Sequence, residues 1–146
     1  MTTTIERQTA TFQIGEESFG IDVLDVQEVI KIQPMTGVPL APRAIRGLIN
    51  LRGQVIPAID LRQRLGLPPF EHPEQQMMVV VESKDGLASL IVDSVGDVLE
   101  LSQQFVEPPP EHLRKELGDL CRGVYKLESE LMLLLNTERA VEESSA

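Results

Sequence analysis

The chain matches itself at a fixed spacing. Shifted by 76 positions, Gly47-Leu48-Ile49-Asn50-Leu51 falls on Gly123-Val124-Tyr125-Lys126-Leu127. In the same register Val55-Ile56-Pro57-Ala58-Ile59-Asp60 falls on Leu131-Met132-Leu133-Leu134-Leu135-Asn136, without a gap. At a shift of 69, Asp25-Val26-Gln27-Glu28-Val29 falls on Ser94-Val95-Gly96-Asp97-Val98. One such match carries little, because apolar strands look alike. Matches in the same chain order point to a duplicated unit. A unit of about 60 residues is marginal alone, so two of them packed together should supply the missing core.

The units read as short strands and turns. Ala10, Phe12 and Ile14 alternate with Thr11 and Gln13, which predicts a strand with one buried face. Gly15 to Ser18 turns the chain, and Phe19 to Asp22 begins the return strand. Val23 to Ile32 reads as a helical turn followed by a strand. Pro34, Pro39 and Pro42 mark an irregular connection. Ile45–Leu51 and Gln54–Ile59 form a hairpin about Arg52-Gly53, where the glycine can supply a positive φ. Asp60 is placed to cap a short helix through Leu65. Met77–Glu82 and Leu87–Asp93 predict a third hairpin, Val98–Leu101 a strand, and Glu111–Leu117 a helix. Gly123–Leu127 and Leu131–Asn136 make the last hairpin, before a helix capped by Thr137 and ending near Glu142. Leu131 to Leu135 is apolar on both faces and should lie between two packed layers. So many short strands predict an all-β protein of small barrels.

The aliphatic residues must fill these cores, since the chain has four Phe, one Tyr and no Trp. The N-terminus lacks a basic stretch followed by an apolar run, so no signal peptide is expected. The densest apolar runs are far shorter than the roughly 20 residues of a helical bilayer span, and no direct membrane insertion is predicted. The formal charge of −10 sits in the second half: residues 1–70 balance, while residues 71–146 carry six basic and sixteen acidic side chains. That excess either keeps the chain soluble or gives the halves different faces for different partners. It argues against the small-barrel nucleic-acid binder, which needs a basic face.

Catalytic chemistry is hard to find. His72 and His112 lie far apart in Pro/Glu-rich loops, and Cys121 has no partner at metal-ligand spacing, so neither a metal nor a cofactor is predicted. Phosphate-cradling and nucleophile-elbow motifs are absent. Asp93 and Asp97 could form an acid–base pair, although such acids far more often finish strands and cap turns. Arg52, at a hairpin tip, could grip a partner's carboxylate. Equally, it could be a solvated loop arginine or pair internally with an acid such as Glu28.

Phe19-Gly20-Ile21-Asp22, Val26-Gln27-Glu28-Val29 and the stretch from Gly47 through Asn50-Leu51-Arg52-Gly53 to Leu61 resemble the CheW family, the coupling proteins of bacterial chemotaxis arrays. Val92 to Val98, Pro108-Pro109 and Gly123 to Leu127 extend the resemblance over nearly the whole chain. It implies two SH3-like five-stranded β-barrels packed side by side, with short helices. A single domain is expected over 8–142. Its first subdomain would cover about 15–68; its second would cover about 76–136 plus the N-terminal strand and a C-terminal helix. Residues 1–7 and 143–146 would be flexible ends. The resemblance also implies a non-enzymatic cytoplasmic adaptor, recruited to membrane-associated receptor arrays. There it would link the cytoplasmic tip of a methyl-accepting receptor to the regulatory domain of the histidine kinase CheA. Val26, Glu28, Arg52, Val95 and Val98 would line the receptor groove, and Arg46, Gly47 and Gly53 would lie near the kinase-binding surface. A scaffold for a pilus-driven or other non-flagellar pathway is the alternative.

Overall fold

The structure, a computed structural model, describes residues 6–142. Ten strands account for most of it: β1 (Glu6–Ile14), β2 (Glu17–Asp22), β3 (Val26–Lys31), β4 (Ile45–Leu51), β5 (Gln54–Asp60), β6 (Met77–Ser83), β7 (Gly86–Val92), β8 (Ser94–Ser102), β9 (Cys121–Lys126) and β10 (Leu131–Leu135). Three short helices accompany them: α1 (Leu61–Arg64), α2 (Lys115–Leu120) and α3 (Thr137–Val141). The strands form two five-stranded sheets with the same plan, β3-β6-β7-β5-β4 and β8-β1-β2-β10-β9. In each, a central hairpin pairs in parallel with a strand of a second hairpin: β7 with β5, and β2 with β10. This is the all-β architecture of two SH3-like barrels.

The repeat is carried by strand order, with one exchange. Along the chain each half reads hairpin, strand, hairpin, yet each leading hairpin completes the sheet of the other half. The division into 15–68 and 76–136 therefore does not follow the sheets. β2 lies within 15–68 but belongs to the second sheet, and β6–β7 lie beyond residue 76 but belong to the first. Local alternation specifies a hairpin without specifying which sheet receives it. The chain crosses between sheets at the 3₁₀ turn Val23–Asp25 and again at Asp93.

Three apolar clusters follow from this plan. Ile49, Ile56, Met78, Val80 and Ile91 fill the first barrel. Leu101, Met132 and Leu134 fill the second. The largest cluster lies between them, where Phe12, Phe19 and Ile21 of one sheet meet Val79, Val81 and Leu90 of the other. β10 serves both sides, with Leu133 and Leu135 facing the shared core and Met132 and Leu134 the barrel interior. Its two-faced apolar run has the buried position predicted for it.

Gly47 and Gly123, counterparts at the shift of 76, do the same job. A Cβ on Gly47 would come within 2.7 Å of the Thr36 carbonyl oxygen, and one on Gly123 within 2.8 Å of Val106 Cγ1. Each absent side chain lets a crossing segment bridge onto the strand, Thr36 onto Leu48 and Glu107 onto Val124. Asp60 and Asn136, also counterparts, cap α1 and α3.

Some local expectations need correction. Thr137 does not cap α3; its hydroxyl donates to Asp25 Oδ2 at 2.9 Å, while Asn136 Oδ1 accepts from the Arg139 amide at 3.1 Å. The helix expected from Glu111 begins at Lys115 and ends at Leu120, a frame that buries Leu117 and Leu120. β8 begins four residues before the expected Val98–Leu101, at Ser94, and ends one residue later, at Ser102. Glu6 and Arg7, expected to be flexible, pair with Ser102 and Leu101. The remainder of the expected flexible ends, 1–5 and 143–146, lies outside the described residues.

Candidate functional site

Glu28 and Arg52 come from opposite edges of the first sheet. β3 carries a bulge at Gln27, since Val26 opposes Val81 and Glu28 opposes the next residue back, Val80. Bulges of this kind re-aim the side chains beside them. At the β4–β5 tip Arg52 has φ 52° and Gly53 φ 87°. Two positive φ values make the turn that matches hairpin twist, and Asn50 Oδ1 secures it by accepting from the Gly53 amide at 2.8 Å. Arg52 thus adopts the left-handed conformation that sequence reasoning assigns only to its glycine neighbour.

The guanidinium grips Glu28 through both terminal nitrogens: Nη1 donates to Oε2 and Nη2 to Oε1 at 3.1 Å. The intramolecular reading of Arg52 is the one realised. The pair joins strands at the two ends of the sheet and so closes the barrel mouth. Hydrogen bonding to Glu28, and then its negative charge, raises the Arg52 pKa above its ordinary value. The Arg52 side chain nevertheless stays 74% exposed. A bidentate pair occupies two of the five guanidinium N–H groups, leaving three directed at solvent.

Of the three valines expected beside this pair, Val26 begins β3 and is half-buried against the shared core. Val95 and Val98 are exposed on β8, opposite Phe12 and Ala10 of β1. β3 and β8 are edge strands of different sheets. Val26 and Val95 are counterparts, each following a point where the chain changes sheet. Sequence reasoning missed Val29 and Val55, both exposed near the Glu28–Arg52 pair in sequence. Val55 opposes the polar, exposed Asn50, which was the available signal that this pair faces outward.

The second expected set is mixed. Arg46 donates to Gln76 Oε1 at 3.2 Å and lies 3.6 Å from Asp60 Oδ2. Gly53 is exposed at the tip. Gly47, expected near the kinase-binding surface, is buried beneath the Thr36 bridge, so any part in binding must act through strand position.

Asp93 and Asp97 do not form an acid–base pair. Asp93 is buried and receives Arg62 Nε at 2.9 and 3.1 Å, whereas Asp97 is exposed on β8. Cys121 is buried, with its thiol donating to the Gly123 carbonyl oxygen at 2.7 Å. Burial raises its pKa, outweighing the opposing effects of the Gly123 and Leu134 backbone and of the Arg122 charge. Among the described residues, no group of three or more His, Cys, Asp and Glu is arranged to hold a metal ion.

The profile of the CheW-like domain family matches residues 8–145. The probable chemotaxis protein CheW of Rhizobium etli is 29% identical over 141 residues, covering 97% of this chain and 91% of that protein. The chemotaxis protein CheW of Bacillus subtilis is 30% identical over 135 residues, covering 92% and 86%. Among solved structures, the scaffolding protein TtCheW of Thermoanaerobacter tengcongensis superposes with a TM-score of 0.86 at 31% identity, over 96% of this chain and 90% of that one.

Proposed function

The chain belongs to the CheW-like domain family, and from that premise we propose that it is a non-enzymatic chemotaxis adaptor. It works in the cytoplasm at receptor arrays, coupling the tip of a methyl-accepting receptor to the regulatory domain of CheA. The observation that carries this reading is the exposed Glu28–Arg52 pair at the mouth of the first barrel, with Val29 and Val55 exposed close to it in sequence on β3 and β5. An ion pair with spare donors next to apolar surface is suited to a protein partner: the valines supply area, and the guanidinium fixes register. Val26, Val95 and Val98 extend the receptor-facing surface along the two edge strands.

The kinase surface is assigned to the first barrel around Arg46 and the Gly53 turn, with Gly47 holding β4 in position. Each face alone binds weakly, with a Kd on the order of micromolar, and simultaneous engagement in an array supplies the remaining affinity.

Titration with a receptor cytoplasmic fragment tests the receptor assignment. Arg52→Glu should weaken binding by about tenfold or more, consistent with losing a charge-assisted contact, while circular dichroism remains native. Unchanged affinity of the folded variant would remove Arg52 from the interface. Co-purification with the CheA regulatory domain tests the other half, and failure to bind would remove the coupling role.

A further inference from the structure

The duplication allows one barrel mouth to be compared with the other. In the first barrel, Glu28 follows the β3 bulge and receives Arg52 from the hairpin tip. In the second, Asp97 is the counterpart of Glu28 at the shift of 69, and it too lies at a bulge, between Val95 opposite Phe12 and Val98 opposite Ala10. Glu128 is the counterpart of Arg52 at the shift of 76. Carboxylate therefore replaces guanidinium at the tip, and both counterparts are acidic. A cavity of about 170 Å³ opens at this mouth, walled by Val95, Leu99, Leu127 and Met132, with Asp97 and Glu130 also lining it. Glu130 accepts from Ser18 Oγ at 3.1 Å, which leaves most of its acceptor capacity free.

We propose that this cavity receives an arginine or lysine side chain from the receptor tip, completing in trans the ion pair that the first barrel makes in cis. Three features converge on that occupant. The space is smaller than the roughly 300 Å³ at which small-molecule pockets begin, and it suits one long side chain. Its lining offers apolar side chains for an aliphatic stem and the carboxylates of Asp97 and Glu130 for a charged end. The counterpart mouth provides the precedent, since a guanidinium already occupies it. Val95 is both a wall of this cavity and part of the proposed receptor surface, which makes the two continuous and assigns the side chain to the receptor. The inference thus rests on reading β8 as receptor-facing.

The test titrates the receptor cytoplasmic fragment against four forms of the full chain: wild type, Val98→Glu, Asp97→Asn/Glu130→Gln, and the remote control Glu111→Gln/Glu116→Gln. All the altered residues are exposed, and circular dichroism checks each fold. Val98→Glu and the Asp97/Glu130 double variant should each weaken binding about tenfold, with the control unchanged. Weakening by Val98→Glu alone would overturn the cavity inference and leave the receptor surface standing. Weakening by the control as much as by the Asp97/Glu130 variant would also overturn it, in favour of unspecific charge attraction. If neither Val98→Glu nor the Asp97/Glu130 variant weakens binding, both readings fall.

Discussion

Replacing Asp93 by alanine should be among the most damaging single changes available in this chain. Its carboxylate is buried at the second crossing point and accepts from Arg62 Nε, from the Gly15 amide at 2.7 Å and from Gln76 Nε2 at 3.4 Å. Gly15 turns the β1–β2 hairpin of the second sheet, and Arg62 belongs to α1, which follows β5 of the first. One side chain therefore ties the two barrels together. Arg62 is itself only 13% exposed, and its guanidinium lies 5.0 Å from the Phe70 ring centre. Asp93→Ala would leave that charge buried without its partner, at a cost of about 3–5 kcal/mol. Asp93→Asn keeps the shape and one acceptor oxygen but turns an amide donor toward other donors, costing about 1–3 kcal/mol. At about 2–4 °C per kcal/mol for a domain near this size, the alanine variant should melt at least about 6 °C lower. The chain has no Trp, so urea unfolding is best followed by far-UV circular dichroism. A loss below about 1 kcal/mol for Asp93→Ala, with an unchanged denaturant slope, would refute the assignment of Asp93 as the junction between barrels. Replacing both partners, as in Arg62→Met/Asp93→Leu, should cost less than Asp93→Ala alone, because no charge is then stranded.

Gly47→Ala and Gly123→Ala should each destabilise by about 2–3 kcal/mol through overpacking, whereas Gly118→Ala, in α2 with open space around it, should be neutral or gain up to about 1 kcal/mol; thermal melts of the three variants decide. Leu40 is fully exposed with φ 64° in the turn where the Ala41 amide donates to the Val38 carbonyl oxygen. Leu40→Gly should therefore raise the urea midpoint, gaining about 1 kcal/mol from relief of left-handed strain. Cys121 should react with a thiol reagent at pH 8 only after unfolding. Its raised pKa means that the folded state favours the protonated thiol. That stabilisation is complete below the pKa of the unfolded thiol, about 8.5, and is lost as pH rises through the folded value; unfolding midpoints across this range check the sign.

The hairpins were legible because their causes are local. Gly53 and Gly86 take positive φ where their turns require it, and Asp60 caps the helix it precedes. The repeat was legible because equivalent strands face equivalent packing. Its glycines at 47 and 123 even share a mechanism that the residue match alone does not reveal. The sheet to which each hairpin belongs was not legible. β2 reads identically whether its partner is β5 or β10, since parallel pairing at long sequence separation leaves no local pattern. At the proposed site, Glu28 and Arg52 could each be singled out, and their pairing was one of several readings. Choosing among them needed the barrel curvature that brings opposite sheet edges together. Asp93 was obscured because a strand-ending acid looks the same whether its partner is solvent or an arginine 31 residues away.

The exchange of hairpins also sets an order for biosynthesis. The first sheet needs nothing beyond β7, so it can close while the rest of the chain is still being made. β1 and β2 are synthesised first, yet β8, β9 and β10 come last. At roughly 5–20 residues per second, about 2–9 s of translation separates β7 from β10. During that interval the sheet that shelters Phe12, Phe19 and Ile21 is incomplete, and the oldest part of the nascent chain must wait for the youngest.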